Sequence, residues 1–368
     1  MDINRVTEIC KDLMLTPGLC GYESLVAKKM KAYMEAYTDD VRLDKIGNMI
    51  ATFPGTDPEA PKIMMFAHMD QLGFIVRRID DDGFIRVDRM GGIPEKVLPA
   101  SAVWIGKEDG SGYVQGVFGV KPHHKQSAEE KFTVNTIPEL YIDIGALCAQ
   151  EVYDAGIQVG CPVVYEPAFT ELLNHRALGT SGDNRKCCTA LIEAAEIISQ
   201  KPHASTIYLV GTVWEEFNLR GAMMANRTAP CDIGICLDGS LAADTPDLKN
   251  NSVNNTVYEG GPVISAYSFH GRGTLNGTIA HKGLYDRFIK VAKELNMPYQ
   301  VNAAIGGLSD TSYLQLENDG VACINVGATS RYNHSPGELS GLLDVQMLGI
   351  LAGNVCLSID KSFDLHRF

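Results

Sequence analysis

The sequence predicts an α/β/α fold around a mixed sheet, interrupted by a smaller all-β insertion. Three patterns support this prediction: apolar runs that end in acidic or histidine residues, amphipathic helices between these runs, and short alternating segments punctuated by glycine. Continuous apolar runs indicate strands covered on both faces, whereas alternation indicates strands that are half buried. We therefore expect a discontinuous α/β domain over residues 1–71 and 166–368, with the insertion over 72–165.

The composition is ordinary for a soluble globular protein. Its 368 residues suffice for about two domains, and 45% of them are hydrophobic. The formal net charge of -13 argues against a nucleic-acid partner, because a phosphate backbone attracts basic surfaces. The start of the chain does not resemble a signal peptide, and no apolar run reaches the ~20 residues of a membrane span. The ten cysteines are scattered without a Cys-x-x-Cys pair, which favours reduced thiols and a cytoplasmic location.

The first 71 residues alternate between helical and strand patterns. Residues 3–15 predict a short amphipathic helix, and a second helix begins at Ser24, with apolar positions extending to Tyr37. A turn over 44–48 separates two expected strands. The apolar run at 62–67 predicts a buried strand that ends at His68-Met69-Asp70.

The insertion begins at about residue 72. Its alternating segments flank the turn Asp81-Asp82-Gly83, which is a strong hairpin signal, and further Gly-punctuated runs continue to about residue 165. His123 and His124 fall on a polar loop within it, and the sequence assigns them no role.

The α/β pattern returns from about residue 170, where further helices and buried strands are expected. Asp183-Asn184-Arg185 precedes one helix, and the apolar run 207–211 then leads into Thr212-Val213-Trp214-Glu215-Glu216. The remaining expected elements are strands at 231–238 and 321–326 and helices at 281–296 and 341–358.

Residues able to bind metal stand at the ends of these elements: His68, Asp70, Asp183, Glu216, Asp238 and His334. The carboxyl ends of parallel strands meet along one edge of a sheet, so such residues can line one crevice. Each residue alone has a more ordinary explanation, as a cap, a turn residue or a hydrogen-bonded histidine. Together they form a ligand set that suits Zn²⁺, Co²⁺ or Mn²⁺, and their number is enough for two ions sharing one carboxylate.

Several motifs occur in an order that identifies a family resemblance. They are His68-Met69-Asp70-Gln71-Leu72-Gly73-Phe74, Gly182-Asp183-Asn184-Arg185, Thr212-Val213-Trp214-Glu215-Glu216, Asp238, and Arg331-Tyr332-Asn333-His334-Ser335-Pro336. Together they resemble the tetrahedral (TET) and glutamyl aminopeptidase family of dinuclear metallopeptidases. The similarity extends from about residue 10 to 355.

The resemblance implies a role for each of these residues. Asp183 would bridge two divalent ions, Zn or Co, with His68 and Asp238 completing one ion and Glu216 and His334 the other. Glu215 would be the catalytic general base, and Asp70 would orient His68.

The resemblance also implies an activity and partners. The protein would be a metal-dependent aminopeptidase that removes the amino-terminal residue of peptides with a free N-terminus, using hydroxide held between the two metals. The insertion would serve dimerisation within a homo-oligomer of up to twelve subunits, and no nucleic acid or membrane is expected as a partner.

Departures from the family pattern lie beside the expected pocket. Trp214 replaces a common Gln, and Leu308, Ser309 and Thr311 differ around a retained Asp310. We expect these changes to affect side-chain specificity rather than chemistry. Trp214 is a candidate for shaping the pocket, and Asp310 is a candidate for binding the substrate α-amine.

Three alternatives to the aminopeptidase remain at this point. A related dinuclear site could serve a deacylase acting on N-acyl amino acids or sugars, which an assay of free-amine against N-acetylated substrates would separate. An endoglucanase is disfavoured, because glycoside hydrolysis normally uses a carboxylate pair without metals. A non-enzymatic shell protein is disfavoured by the intact Glu215 and ligand set.

Overall fold

The computed structural model of the protein describes residues 1–250, 253–271 and 277–367. The helices in these ranges are α1 (Ile3–Met14), α2 (Ser24–Met34), α3 (Ala149–Asp154), α4 (Gly182–Ser199), α5 (Gly221–Asn226), α6 (Lys282–Glu294), α7 (Thr311–Leu314) and α8 (Leu342–Leu357).

The strands of the first half of the chain are β1 (Val41–Leu43), β2 (Met49–Phe53), β3 (Ile63–His68), β4 (Gly73–Ile79), β5 (Ile85–Met90), β6 (Ala102–Gly106), β7 (Tyr113–Phe118), β8 (Ile142–Asp143) and β9 (Pro162–Tyr165). Those that follow are β10 (Phe169–Leu172), β11 (Arg176–Gly179), β12 (Ile207–Thr212), β13 (Ile233–Leu241), β14 (Val263–Phe269), β15 (Gly277–Ile279), β16 (Gln300–Ile305), β17 (Ala322–Arg331) and β18 (Glu338–Gly341).

A large mixed sheet forms the centre of the molecule, in the order β1-β2-β12-β3-β13-β17-β18-β11-β10. Its middle strands β12, β3, β13 and β17 are mutually parallel. All six residues of β3 are buried, which agrees with the continuous apolar run that predicts this strand. The parallel arrangement brings the carboxyl ends of these four strands to one edge of the sheet.

Helices cover both faces of this sheet. On one face, α4 packs against α8 and α1, and residues of α2 and α6 join the same apolar core. On the other face, α5 and α7 pack over a smaller core that includes Phe66, Val210 and Leu314. The predicted α/β/α architecture with a mixed sheet is therefore confirmed.

A separate antiparallel barrel closes in the order β4-β5-β8-β7-β6-β9. It has its own apolar core, in which the rings of Phe74 and Phe118 meet edge to face at 5.0 Å. Closure leaves no sheet edge open for pairing. The barrel strands fall within the 72–165 segment, and the division of the chain into two domains stays a prediction.

The structure also contains elements that the sequence patterns do not predict. β14 pairs with β17 and carries β15 and β16, which together extend the central sheet beside the strand ends. The helix that begins at Ser24 ends at Met34, so Tyr37 lies beyond it. Among the described residues, no helix has both the length and the apolar character that crossing a membrane requires.

Candidate metal centre

The strand ends bring the predicted ligands together. His68 ends β3, Asp238 lies in β13, and Glu216 and His334 follow shortly after β12 and β17. Asp183 stands at the start of α4 with non-helical backbone angles, and its peptide bond to Asn184 is cis.

Asp183 lies between the two histidines. Its Oδ1 is 3.3 Å from His68 Nε2, and its Oδ2 is 3.6 Å from His334 Nε2. Asp238 Oδ1 is 3.8 Å from His68 Nε2, and Glu216 Oε1 is 4.0 Å from His334 Nε2. One carboxylate thus faces two groups of ligands, as the bridging role assigned to Asp183 requires.

The second ring nitrogen of each histidine already has a partner. His334 Nδ1 lies 2.7 Å from the carbonyl oxygen of Gly92, and His68 Nδ1 lies 3.2 Å from that of Asp70. A carbonyl accepts a hydrogen bond and cannot donate one, so Nδ1 carries the proton in the neutral ring and Nε2 keeps its lone pair. In both histidines the lone pair therefore faces the carboxylates, as metal ligation requires.

Asp70 holds the turn that carries the two glutamates. Its Oδ1 accepts the backbone N–H of Glu215 at 3.1 Å, and its Oδ2 accepts that of Glu216 at 2.9 Å. Trp214 has a positive φ of 61°, and its N–H donates to Glu23 Oε1 at 3.3 Å. Two buried carboxylates thus fix three successive amides. The sequence predicts an orienting role for Asp70 towards His68 but not this one towards the glutamates.

A further positioning carboxylate, Glu338, is absent from the sequence prediction. Its Oε2 accepts the backbone N–H of Asp183 at 2.7 Å, and its Oε1 accepts that of His334 at 2.6 Å. The only sequence signal is an acid four residues after His334. Asn333 Nδ2 also donates to Asp183 Oδ2 at 3.0 Å, and this residue belongs to the motif around His334.

Burial makes the ionised state of these clustered carboxylates electrostatically unfavourable unless a cation is present. Burial, followed by the charge of Asp183, raises the pKa of Glu216 to about 8, and burial is also the main cause that raises the pKa of Asp238 to about 6. Burial likewise raises the pKa of Glu215 well above its usual range. Burial alone would lower the pKa of His334, but the neighbouring carboxylates of Asp183 and Glu216 outweigh it and raise that pKa to about 10.

The donor set fits divalent metal ions. Ligand atoms of His68, Asp183 and Glu216 all lie within 4.8 Å of one another, with Asp238 and His334 beside them. Neutral imidazole and carboxylate oxygen are ligands that Zn²⁺ and neighbouring divalent ions share. Positive charge at this point would also relieve the repulsion that raises the carboxylate pKa values.

A cavity of about 760 Å³ opens from this centre. Its walls include β14, β16, the middle of β17 and Gly91-Gly92 next to the barrel. Asp310 is not part of the lining: it is buried at 1% exposure and accepts the N–H of Ala222 at 3.1 Å. Trp214 is also absent from the lining and packs against the main apolar core instead. His123 and His124 are exposed on the barrel.

Fold and site together define a metallopeptidase class, an α/β/α sheet with a metal-ligand cluster at its strand ends and an accessory barrel. Residues 47–351 match the profile of the M42 glutamyl aminopeptidase family. The lysyl aminopeptidase of Pyrococcus furiosus is 33% identical over 92% of this chain and 93% of its own length.

Solved structures agree with these sequence matches. The aminopeptidase APDkam598 of Desulfurococcus kamchatkensis superposes with a TM-score of 0.90 at 30% identity, covering 98% of this chain and 97% of the other. PhTET1-12s, described as a dodecamer, gives a TM-score of 0.82 at 25% identity, covering 96% and 99%.

The chain therefore belongs to the M42 glutamyl aminopeptidase family. It is a metal-dependent aminopeptidase, as the resemblance implies, and the deacylase alternative is not favoured.

Proposed function

We propose that this aminopeptidase uses two divalent ions, Zn or Co. One ion would be held by His68, Asp183 and Asp238, and the other by Asp183, Glu216 and His334. The observation that carries the assignment is the position of Asp183, whose two oxygens face the Nε2 atoms of different histidines. When bound, the ions supply Lewis acidity, which polarises the scissile carbonyl and acidifies water.

Glu215 is the proton-transfer residue in this proposal. Its Oε2 lies 3.9 Å from His68 Nε2, at the metal centre, and its side chain also lines the cavity. Its carboxylate removes a proton from the attacking water and then delivers a proton to the leaving amine. Burial raises its pKa, which makes it a stronger base once ionised.

The test of this role is Glu215→Gln. The amide keeps the shape of the side chain but cannot accept the proton, so we expect bound metal to be retained and kcat to fall by roughly 10²–10⁴-fold. Glu317→Gln is the matched control, because Glu317 pairs with Arg227 on the surface at 3.4 Å. Normal turnover in a metal-loaded Glu215→Gln enzyme would refute the assignment.

Metal identity needs its own measurement. Removal of divalent ions with a chelator should abolish turnover, and addition of Zn²⁺ or Co²⁺ should restore it at two ions per subunit. Full activity after exhaustive chelation, or saturation at one ion, would contradict the two-metal proposal.

We further propose that peptides with a free N-terminus are the substrates and that the barrel joins subunits into a homo-oligomer built from dimers, up to a dodecamer. Large apolar side chains are exposed on the connections between the barrel elements, among them Phe132 at 90% and Leu147 at 83%. Light scattering that gives the mass of a monomer would overturn this assembly. A cytoplasmic location is supported by the ten free cysteines.

A further inference from the structure

The cavity beside the metal centre has an unusual charge distribution for a family named after glutamyl substrates. Outside the metal centre, His270 is the one ionisable side chain among the described residues that line it. The polar lining is otherwise made of neutral groups, which include Ser265, Ser268, Asn302, Ser309 and Asn325. Within the described ranges, neither Lys nor Arg reaches this cavity, and the carboxylates in its lining all belong to the metal centre.

Asn325 lies at a depth that a substrate side chain can reach. In the register of β13 and β17, Asn325 pairs with Cys236, whereas Gly327 pairs with Asp238. Paired residues of neighbouring strands share a face, so Asn325 is on the same face as Asp238 and two residues deeper, about 6–7 Å away. This distance corresponds to a medium-length side chain of a residue whose scissile bond is at the metal centre.

Hydrogen bonds orient the amide of Asn325. Its Oδ1 accepts the hydroxyl of Ser309 at 2.8 Å and that of Thr311 at 2.7 Å. Thr311 is held in turn by Thr278, with their hydroxyl oxygens 2.9 Å apart. Among the described residues, the Nδ2 of Asn325 has one partner, Ser268 Oγ, at the long distance of 3.4 Å. The carbonyl side of the amide is therefore satisfied, and the N–H side is available to a ligand.

We propose that the enzyme selects uncharged amino-terminal residues and that Asn325 is a specificity-determining residue, donating to an acceptor on the substrate side chain. This inference rests on the proposed aminopeptidase site and adds the substrate class. Glutamine meets both conditions, because it is neutral and carries a carbonyl acceptor at the end of a chain of suitable length.

Charge burial is the physical reason for the selection. Among the described lining residues, a glutamyl carboxylate would meet neither Lys nor Arg, and a lysyl ammonium would meet no carboxylate outside the metal centre. Burying an ion without a partner is far more costly than burying a neutral amide that makes a hydrogen bond. The net charge of -13 further disfavours the anionic substrate.

The experiment compares aminoacyl-anilides of glutamine, methionine, glutamate and lysine on the metal-loaded native enzyme. Glutamine, methionine and glutamate are similar in length, so the first three differ chiefly in polarity and charge. We expect kcat/KM for glutamine to exceed the glutamate and lysine values by at least about tenfold, and to exceed the methionine value by a smaller factor. A preference for glutamate or lysine in an active enzyme would overturn this inference alone. No turnover of any substrate would overturn the proposed function and this inference with it.

Asn325→Asp tests the residue itself. The carboxylate still accepts the hydroxyls of Ser309 and Thr311 but replaces the amide donor by a negative charge. We expect the lysine-to-glutamine ratio of kcat/KM to rise at least about tenfold. Asn318→Asp adds the same charge at an exposed position and should leave the ratio unchanged. An equal ratio in the two variants would show that Asn325 does not determine specificity.

Discussion

Replacement of Glu338 by glutamine is the most informative perturbation of the metal centre. Glu338 is 3% exposed, and its two oxygens each accept a backbone N–H from a proposed ligand, Asp183 and His334. Glutamine retains one acceptor oxygen and turns its NH₂ group towards the other N–H donor. One of the two ligands therefore loses its backbone anchor, although no ligand atom is removed.

The size of the effect follows from this lost contact. A hydrogen bond to a charged group contributes about 1.5–3 kcal/mol. Loss of a partner that orients a ligand typically weakens metal affinity about 10–100-fold, which corresponds to roughly 1.4–2.7 kcal/mol. The two figures agree, so we expect Glu338→Gln to weaken binding of at least one ion about 10–100-fold.

The metal-free protein should respond differently. Burial and the charge of Asp183 raise the pKa of Glu338 to about 7, so above that pH its carboxylate is ionised in the folded protein at a cost in stability relative to the unfolded chain. A neutral amide removes this cost while it gives up one N–H bond. We therefore expect the unfolding free energy of the chelated variant at pH 8 to lie within about 1 kcal/mol of the parent value.

Metal affinity is measured by competition with a chelator of known affinity, and stability by denaturant unfolding of the chelated protein. Glu317→Gln again supplies the control. Parental metal affinity in Glu338→Gln would refute the positioning role, and a large loss of metal-free stability would show that Glu338 acts on folding instead.

Two further predictions concern the same centre. Asp70→Asn places an NH₂ group against the backbone N–H of either Glu215 or Glu216. We expect kcat to fall roughly 10–100-fold while metal content is largely retained. A kcat equal to that of the parent enzyme would contradict the role of Asp70. In the chelated protein, His334 has a pKa of about 10, which is higher than its pKa in the unfolded chain. Its protonation therefore stabilises the fold fully at pH values below the unfolded pKa, and this stabilisation is lost as the pH rises through 10. Glu216 has a raised pKa of about 8, so stability also falls as the pH rises from the pKa of Glu216 in the unfolded chain to pH 8. The melting temperature of the metal-free protein should therefore decline from about pH 6 to 10, and excess metal should remove most of this decline; a flat metal-free profile would contradict both shifts.

The fold class can be predicted from the sequence because each central strand is marked by a short apolar run within its own segment. The run Ile63–Ala67 is continuously apolar, and β3 is buried along its whole length with helices on both faces. The same logic predicts which residues meet, since β12, β3, β13 and β17 run parallel and end at one edge. His68 and His334 are separated by most of the chain, yet both histidines lie within 4 Å of Asp183.

The parts that sequence patterns do not predict lack such local signals. β16 alternates between intermediate and exposed residues, without the buried face that usually marks a strand, although it forms a wall of the cavity. Glu338 accepts hydrogen bonds from the backbone N–H groups of Asp183 and His334. Because almost every residue has a backbone N–H, the residue types at these positions do not reveal the contact. Asp310 illustrates the opposite error, because an acid that is retained in a motif need not face the substrate. Its carboxylate is buried and accepts the N–H of Ala222.

The turn after β12 explains how adjacent glutamates can serve different purposes. Asp70 fixes both of their amides, and Trp214 takes a positive φ of 61° just before them. Glu215 Oε2 then lies 3.9 Å from His68 Nε2, whereas Glu216 Oε1 lies 4.0 Å from His334 Nε2. The two carboxylates thus face the two histidines separately, so one can bind a metal while its neighbour stays available for proton transfer. This division depends on the backbone of the turn, which is why Asp70 is expected to control kcat although it does not line the cavity.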